Sequence, residues 1–155
     1  YTLPKSSLNW VIDGRCRYGT VRFYWERYHR PLMVTENGMA GDDPVSPDGQ
    51  VHDGARIQFL QDFLGILQRA VDEGIPVLGY QHWSVMDNLE WCEGFGLRFG
   101  LIHVDYMTQK RTLKDSALAY RGIIQNNGLL PDIVKETGRW LTDLGPMRMD
   151  GKQLT

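Results

Sequence analysis

The chain has 155 residues, a formal charge of −2, 42% hydrophobic residues and 23% charged residues. That length suits one domain, and that composition excludes an intrinsically disordered chain. Acidic and basic residues are interspersed, and no apolar run reaches the ~20 residues that cross a bilayer, so neither nucleic acid nor a membrane is an expected partner.

No secretory leader is visible, and the cytoplasm is the expected compartment. Cys16 and Cys92 show no metal-ligand or redox spacing; they read as free buried thiols, with a disulfide left open. No metal and no cofactor is expected. Five tryptophans and seven tyrosines are many for this length, and most read as core residues.

Residues 1–15 have loop character, with Pro4 and an Asp13-Gly14 turn signal. Tyr18, Val21, Trp25 and Tyr28 then recur at helical spacing, up to the break at Pro31. Leu32 to Thr35 is a short apolar run that fits a buried strand. Residues 38–52 are rich in Gly, Asp and Pro, a length of loop that compact domains keep for function or mobility.

Asp53 suits the N-cap of a second helix, whose apolar face is Ile57, Leu60, Leu64, Leu67 and Val71 and whose stop is Gly74. Val77 to Gln81 is a second strand, and Leu101 to Tyr106 alternates like a small third one. Asp115 to Asn127 is a third helix, with Ala119, Tyr120, Ile123 and Ile124 available for packing and Gly128 at its end. The tail from residue 129 to 155 shows no firm pattern. Strands alternating with helices give an α/β architecture with a parallel sheet. Two strong strands make a poor sheet alone, so the chain reads as part of something larger.

In α/β barrels the active site forms where strands end and loops begin. Two segments sit there: Thr35-Glu36-Asn37-Gly38, and the stretch from Gln81 to Glu90. A carboxylate directly after an apolar strand is poorly solvated and calls for a reason; a surface Glu opening a turn is the plainer alternative. Retaining glycoside hydrolysis supplies such a reason, because it needs a carboxylate nucleophile. The second segment, His82-Trp83-Ser84-Val85-Met86-Asp87-Asn88-Leu89-Glu90-Trp91, combines indole faces with amide and carboxylate groups, the mixture that a sugar pocket uses.

Val34-Thr35-Glu36-Asn37-Gly38 resembles the nucleophile motif of glycoside hydrolase family 1, the β-glucosidases and β-galactosidases. The resemblance runs in order through Gly79-Tyr80, His82-Trp83-Ser84, Asp87-Asn88, Glu90-Trp91, Gly94-Phe95 and Arg98-Phe99-Gly100. It continues through Val104-Asp105-Tyr106, Thr108 to Arg111 and Lys114-Asp115-Ser116 to Tyr120, and covers about Trp10 to Gly128. It implies the C-terminal part of a (β/α)8 TIM barrel, about strands seven and eight with their flanking helices.

The same resemblance implies roles. Glu36 is the nucleophile, and Trp83 packs beside the sugar. Glu90 bonds the 4- and 6-hydroxyls, Trp91 contacts the 3-hydroxyl, and Phe99 walls the pocket near the 6-position. Glu90, with Leu97 where phosphate-reading relatives carry Lys, favours an unphosphorylated β-glucoside or a related sugar. Asp13-Gly14-Arg15-Cys16, Gly96 and Leu97 depart from the family's pattern.

The family's acid/base lies in an Asn-Glu-Pro motif on strand four, and this sequence contains none. The expected partner is therefore an N-terminal portion of the same enzyme that supplies it. A non-catalytic sugar-binding remnant and an inactive fragment are the alternatives.

Overall fold

A computed structural model describes residues 3–129. Nearly all of the tail read at 129–155 lies outside the described residues. Helix α1 spans Gly14–Tyr28 and starts four residues before the first periodic position, Tyr18. The reason is Asp13, read as a turn residue, whose carboxylate accepts from the Arg15 N–H at 2.9 Å and caps the helix. Of the periodic residues, Tyr18 and Val21 are buried while Tyr28 is exposed.

Strand β1 spans Leu32–Asn37, two residues beyond the expected end. Helix α2 spans Gly54–Asp72, and Gly74 follows in the left-handed region at φ 87°. Strand β2 spans Val77–His82. A short 3-10 turn covers Trp91–Glu93. Ile102–Val104 (β3) pairs antiparallel with Arg111–Leu113 (β4), a partner strand that alternation did not reveal. Helix α3 spans Asp115–Asn126 and ends on Asn127, itself left-handed at φ 46°.

β1 and β2 lie parallel, joined through α2 as a crossover. Leu32, Val34, Val77 and Tyr80 face the helices, where they pack with Trp25 and Leu64 on a core of Val21, Leu67, Ala70 and Ile75. Met33 and Leu78 are 49% and 73% exposed. The expectation of a buried strand therefore fails for one face of β1 within this chain. A parallel sheet buries its strands only when both faces are covered, and here one face is.

The α2 face also differs from its expected composition. Phe59, Leu60, Phe63, Ile66, Leu67 and Ala70 are buried, and Val71 is exposed. A second small core forms from Met39, Phe59 and Phe63, with Ile12 against it and the two phenyl rings stacked 4.3 Å apart. In α3, Ile123 is buried while Ile124 points outward. Cys16 and Cys92 are free thiols, but both are exposed rather than buried. The aromatic residues also depart from expectation. Of the described Trp and Tyr side chains, Tyr18 alone is buried, and the others are exposed or half-buried.

Candidate active site

Glu36 is the penultimate residue of β1, inside the strand rather than after it. It is exposed, so the expected poorly solvated carboxylate does not describe it in this chain. The register explains its setting. Val34 pairs with Tyr80 and Asn37 with His82, so β1 advances three residues while β2 advances two. Glu36 lies in that bulge, a device that re-aims a side chain at a strand end.

The strand ends are held close. The Trp83 N–H donates to the Asn37 carbonyl at 2.9 Å. Gly38 packs so tightly on the next peptide that a Cβ there would lie 1.7 Å from the Trp83 carbonyl oxygen. Only glycine fits this position. The Trp83–Ser84 peptide is cis.

Beyond β2 the chain folds back on itself. The Ser84 N–H donates to Phe99 O at 3.2 Å, and Leu101 and Ile102 donate to Ser84 and Val85 at 3.0 and 2.9 Å. This pairing buries Phe99 beside the strand end. Glu90 and Gly94 close a tight turn, with the Glu90 N–H on Gly94 O at 2.7 Å. Trp91 opens the 3-10 turn at φ 40°, an unusual conformation for so bulky a residue, and the residue is 83% exposed.

All five residues singled out from the sequence line one cleft of about 660 Å³: Glu36, Trp83, Glu90, Trp91 and Phe99. Met39, Phe59 and Phe63 give it an apolar wall. Trp10 and Asn88 also line it. Trp10 sits in a loop with no periodic pattern, so nothing local marks it as a cleft residue. Among the described residues, no cluster of His, Cys, Asp and Glu could hold a metal ion.

Behind the cleft lies a buried ion network that the sequence reading missed. Arg56 pairs with Asp43 at 2.7 Å and with Asp53 at 2.5 Å. Lys114, 0% exposed, bridges Asp43 at 2.6 Å and Asp87 at 2.8 Å. Asp87 also takes Arg98 at 2.7 Å and the N–H groups of Gly100 and Val104. Burial alone would raise the Asp87 carboxyl, but Lys114, Arg98 and the Val104 N–H outweigh it and hold the group below its usual range.

The network ties the loop after β1 to the segment after β2 and to the start of α3. Asp53 belongs to it. It stands at the N-cap of α2 but makes no cap bond there. Its carboxylate instead accepts from the Ser116 N–H at 2.9 Å and from the Ser116 hydroxyl, so it caps α3. His82, at the end of β2, has both ring nitrogens buried and without a hydrogen-bond partner among the described residues. Burial first, then the Arg56 and Lys114 charges, lower its pKa to about 4, with the nearby Phe99 backbone acting the other way.

Comparison with known proteins gives this geometry its context. The glycosyl hydrolase family 1 profile matches residues 1–129. Beta-glucosidase A of Thermotoga maritima is 46% identical over 128 residues, covering 82% of this chain and 29% of that protein. A beta-galactosidase of Sulfolobus acidocaldarius is 38% identical over 146 residues, covering 94% of this chain and 28% of that protein; its alignment thus runs past residue 129. The solved structure of the Thermotoga maritima beta-glucosidase in complex with glucoimidazole superposes with a TM-score of 0.81 at 45% identity, covering 83% of this chain and 30% of that one.

The chain thus spans about 29% of the length of the first of these relatives. Among the described residues, the two parallel strands and three helices are the part of a (β/α)8 barrel around strands seven and eight. A profile match along residues 1–129, with the fold superposed at 45% identity, settles the relationship: the chain belongs to glycosyl hydrolase family 1.

Proposed function

We propose that this chain supplies the nucleophile and part of the sugar pocket of a retaining β-glucosidase. The convergence of Glu36, Trp83, Glu90, Trp91 and Phe99 on one cleft at the strand ends carries this reading. In it, the Glu36 carboxylate attacks the anomeric carbon and forms a glycosyl-enzyme, which water then hydrolyses. Glu90 accepts hydrogen bonds from the 4- and 6-hydroxyls, and the Trp91 N–H donates to the 3-hydroxyl. Trp83 and Phe99 offer apolar surface to the sugar ring and its 6-position. Trp10, exposed on the same cleft, offers a flat face to the leaving group.

The acid that protonates the leaving oxygen stands about 5–5.5 Å from the nucleophile in a retaining enzyme. We assign it to the part of the barrel that precedes this chain's strands, which is also its partner. Glu90 is not that acid, because its place in the tight turn with Trp91 suits hydroxyl binding. The carboxylate of Glu90 also disfavours a sugar phosphate through like charge.

The test is hydrolysis of an aryl β-glucoside by the assembled barrel. Glu36→Ala is expected to lower kcat by several orders of magnitude, since covalent catalysis loses its attacking group. Turnover unchanged in that variant would overturn the assignment.

A further inference from the structure

We infer that Tyr80 is a positioning residue for Glu36, acting through Asn37. The inference rests on Glu36 being the nucleophile. Tyr80 lies in β2, and its hydroxyl reaches across to the strand that carries Glu36. The hydroxyl donates to Asn37, whose side-chain Oδ1 lies at 2.9 Å and whose carbonyl oxygen lies at 3.1 Å. The same carbonyl takes the Trp83 N–H at 2.9 Å.

The bulge is what gives this contact its importance. Regular pairing with β2 holds Val34 on one side of Glu36 and resumes only at Asn37 on the other. The residues between lack a ladder partner in step with them, so the Glu36 backbone takes its position from its two anchors. Asn37 is the nearer anchor and is buried. Tyr80 fixes Asn37 by a side-chain bond that does not depend on strand register. It thereby locks the bulge and, through the shared carbonyl, sets Glu36 against Trp83.

Tyr80 is built to remain a donor. Burial raises its pKa well above the ordinary phenol value, so the hydroxyl keeps its proton throughout the physiological range. Its ring packs edge-on to Tyr120 at 6.3 Å, which holds the phenol in place after loss of the hydroxyl. The Tyr120 hydroxyl sits in the same aromatic cluster but reaches only the Tyr80 carbonyl, at 3.4 Å. Among the described residues it has no hydrogen bond to Asn37, which makes it a matched control.

The experiment uses the assembled enzyme and a 2-deoxy-2-fluoro-β-glucoside with a dinitrophenolate leaving group. In this reaction the Glu36 oxygen bonds to C1, the C1–O bond breaks, and dinitrophenolate departs with the electron pair and needs no acid. The inactivation rate therefore reports attack by Glu36, and the probe's saturation constant reports sugar binding. A misplacement of ~1 Å can cost 10²-fold, so Tyr80→Phe is expected to slow inactivation by about tenfold or more. The saturation constant should stay within about twofold, and Tyr120→Phe should match wild type, because neither change touches the sugar contacts.

An unchanged inactivation rate in Tyr80→Phe overturns the inference, as does an equal slowing in Tyr80→Phe and Tyr120→Phe. Should Tyr80→Phe fail to fold, Asn37→Ala replaces it, since it removes one of the two acceptors and keeps the phenol. A slowing of about threefold or more supports the inference, and an unchanged rate overturns it. If wild-type enzyme is not labelled on Glu36 at all, the proposed function fails, which is a separate result.

Discussion

β1 and β2 pair with each other and leave Met33 and Leu78 open on the face away from the helices. A few residues further on, the loops that they feed close around Lys114, which is fully buried between two aspartates. The sheet is held by apolar contact on one side, which any complementary apolar surface can extend. The loops are held by directional charge pairs supplied within this chain. The contrast teaches that the sheet leaves one face free for further apolar contact, whereas the loops that shape the cleft carry their own ties.

Breaking those ties has the largest expected effect. Lys114→Met leaves the Asp43 and Asp87 carboxylates buried without their shared ammonium, a loss of about 3–5 kcal/mol. Urea denaturation measures it, and a loss below about 1 kcal/mol would show that the loops are held by something else.

Two leucines test the sheet directly. Leu67→Ala empties a packed core site and should cost about 2–5 kcal/mol. Leu78→Ala, on the open face, should change the stability of this chain by less than about 0.5 kcal/mol. In the proposed assembly Leu78→Ala should cost more than in this chain, because further strands would cover it. Equal effects of Leu78→Ala in the two settings would break the contrast between wall and loops.

pH sharpens the comparison further. Unfolded, His82 binds its proton near pH 6.5; folded, it does so only near pH 4. Between these values the unfolded chain carries the extra proton, so stability falls as pH drops from about 6.5 to 4 and then levels off. The loss is about 3 kcal/mol on this account, and it should vanish in His82→Phe. Asp87 acts in a separate window. Its folded pKa lies below the usual 3.8, so the stability it adds is present above that value and is lost as pH falls below it. Denaturation midpoints across pH 3 to 8 separate the two.

A modest change is expected at the start of α1. Asp13→Ala removes the cap of a helix that begins beside the cleft residue Ile12, with an expected cost of about 1 kcal/mol. Circular dichroism and thermal melting measure that cost.

Much of this was legible in the sequence. The 3.6-residue spacing located all three helices, and the two short apolar runs located β1 and β2. The segment from Val34 to Gly38 and the segment from His82 to Trp91 marked the cleft, where Glu36, Trp83, Glu90, Trp91 and Phe99 do line one space. The misses share a cause. β4 was overlooked because three residues give too short a pattern to read. Trp10 was overlooked because a loop residue has no period. Val71 and Tyr28 fit a helical face yet are exposed, since periodicity says which residues share a side and not which side is covered.

By itself the sequence determined the three helices, β1 and β2, and which residue types gather where those strands end. These follow from local rules, because each depends on neighbours a few residues apart. Tertiary structure alone decided that Asp53 caps α3 instead of α2, that Glu36 sits in a bulge, and that Lys114 joins Asp43 and Asp87. Those partners lie 71 and 27 residues from Lys114, and only the path of the chain brings them within 3 Å. A charge carries no sign in the sequence of which opposite charge it will meet, and burial then makes that meeting obligatory.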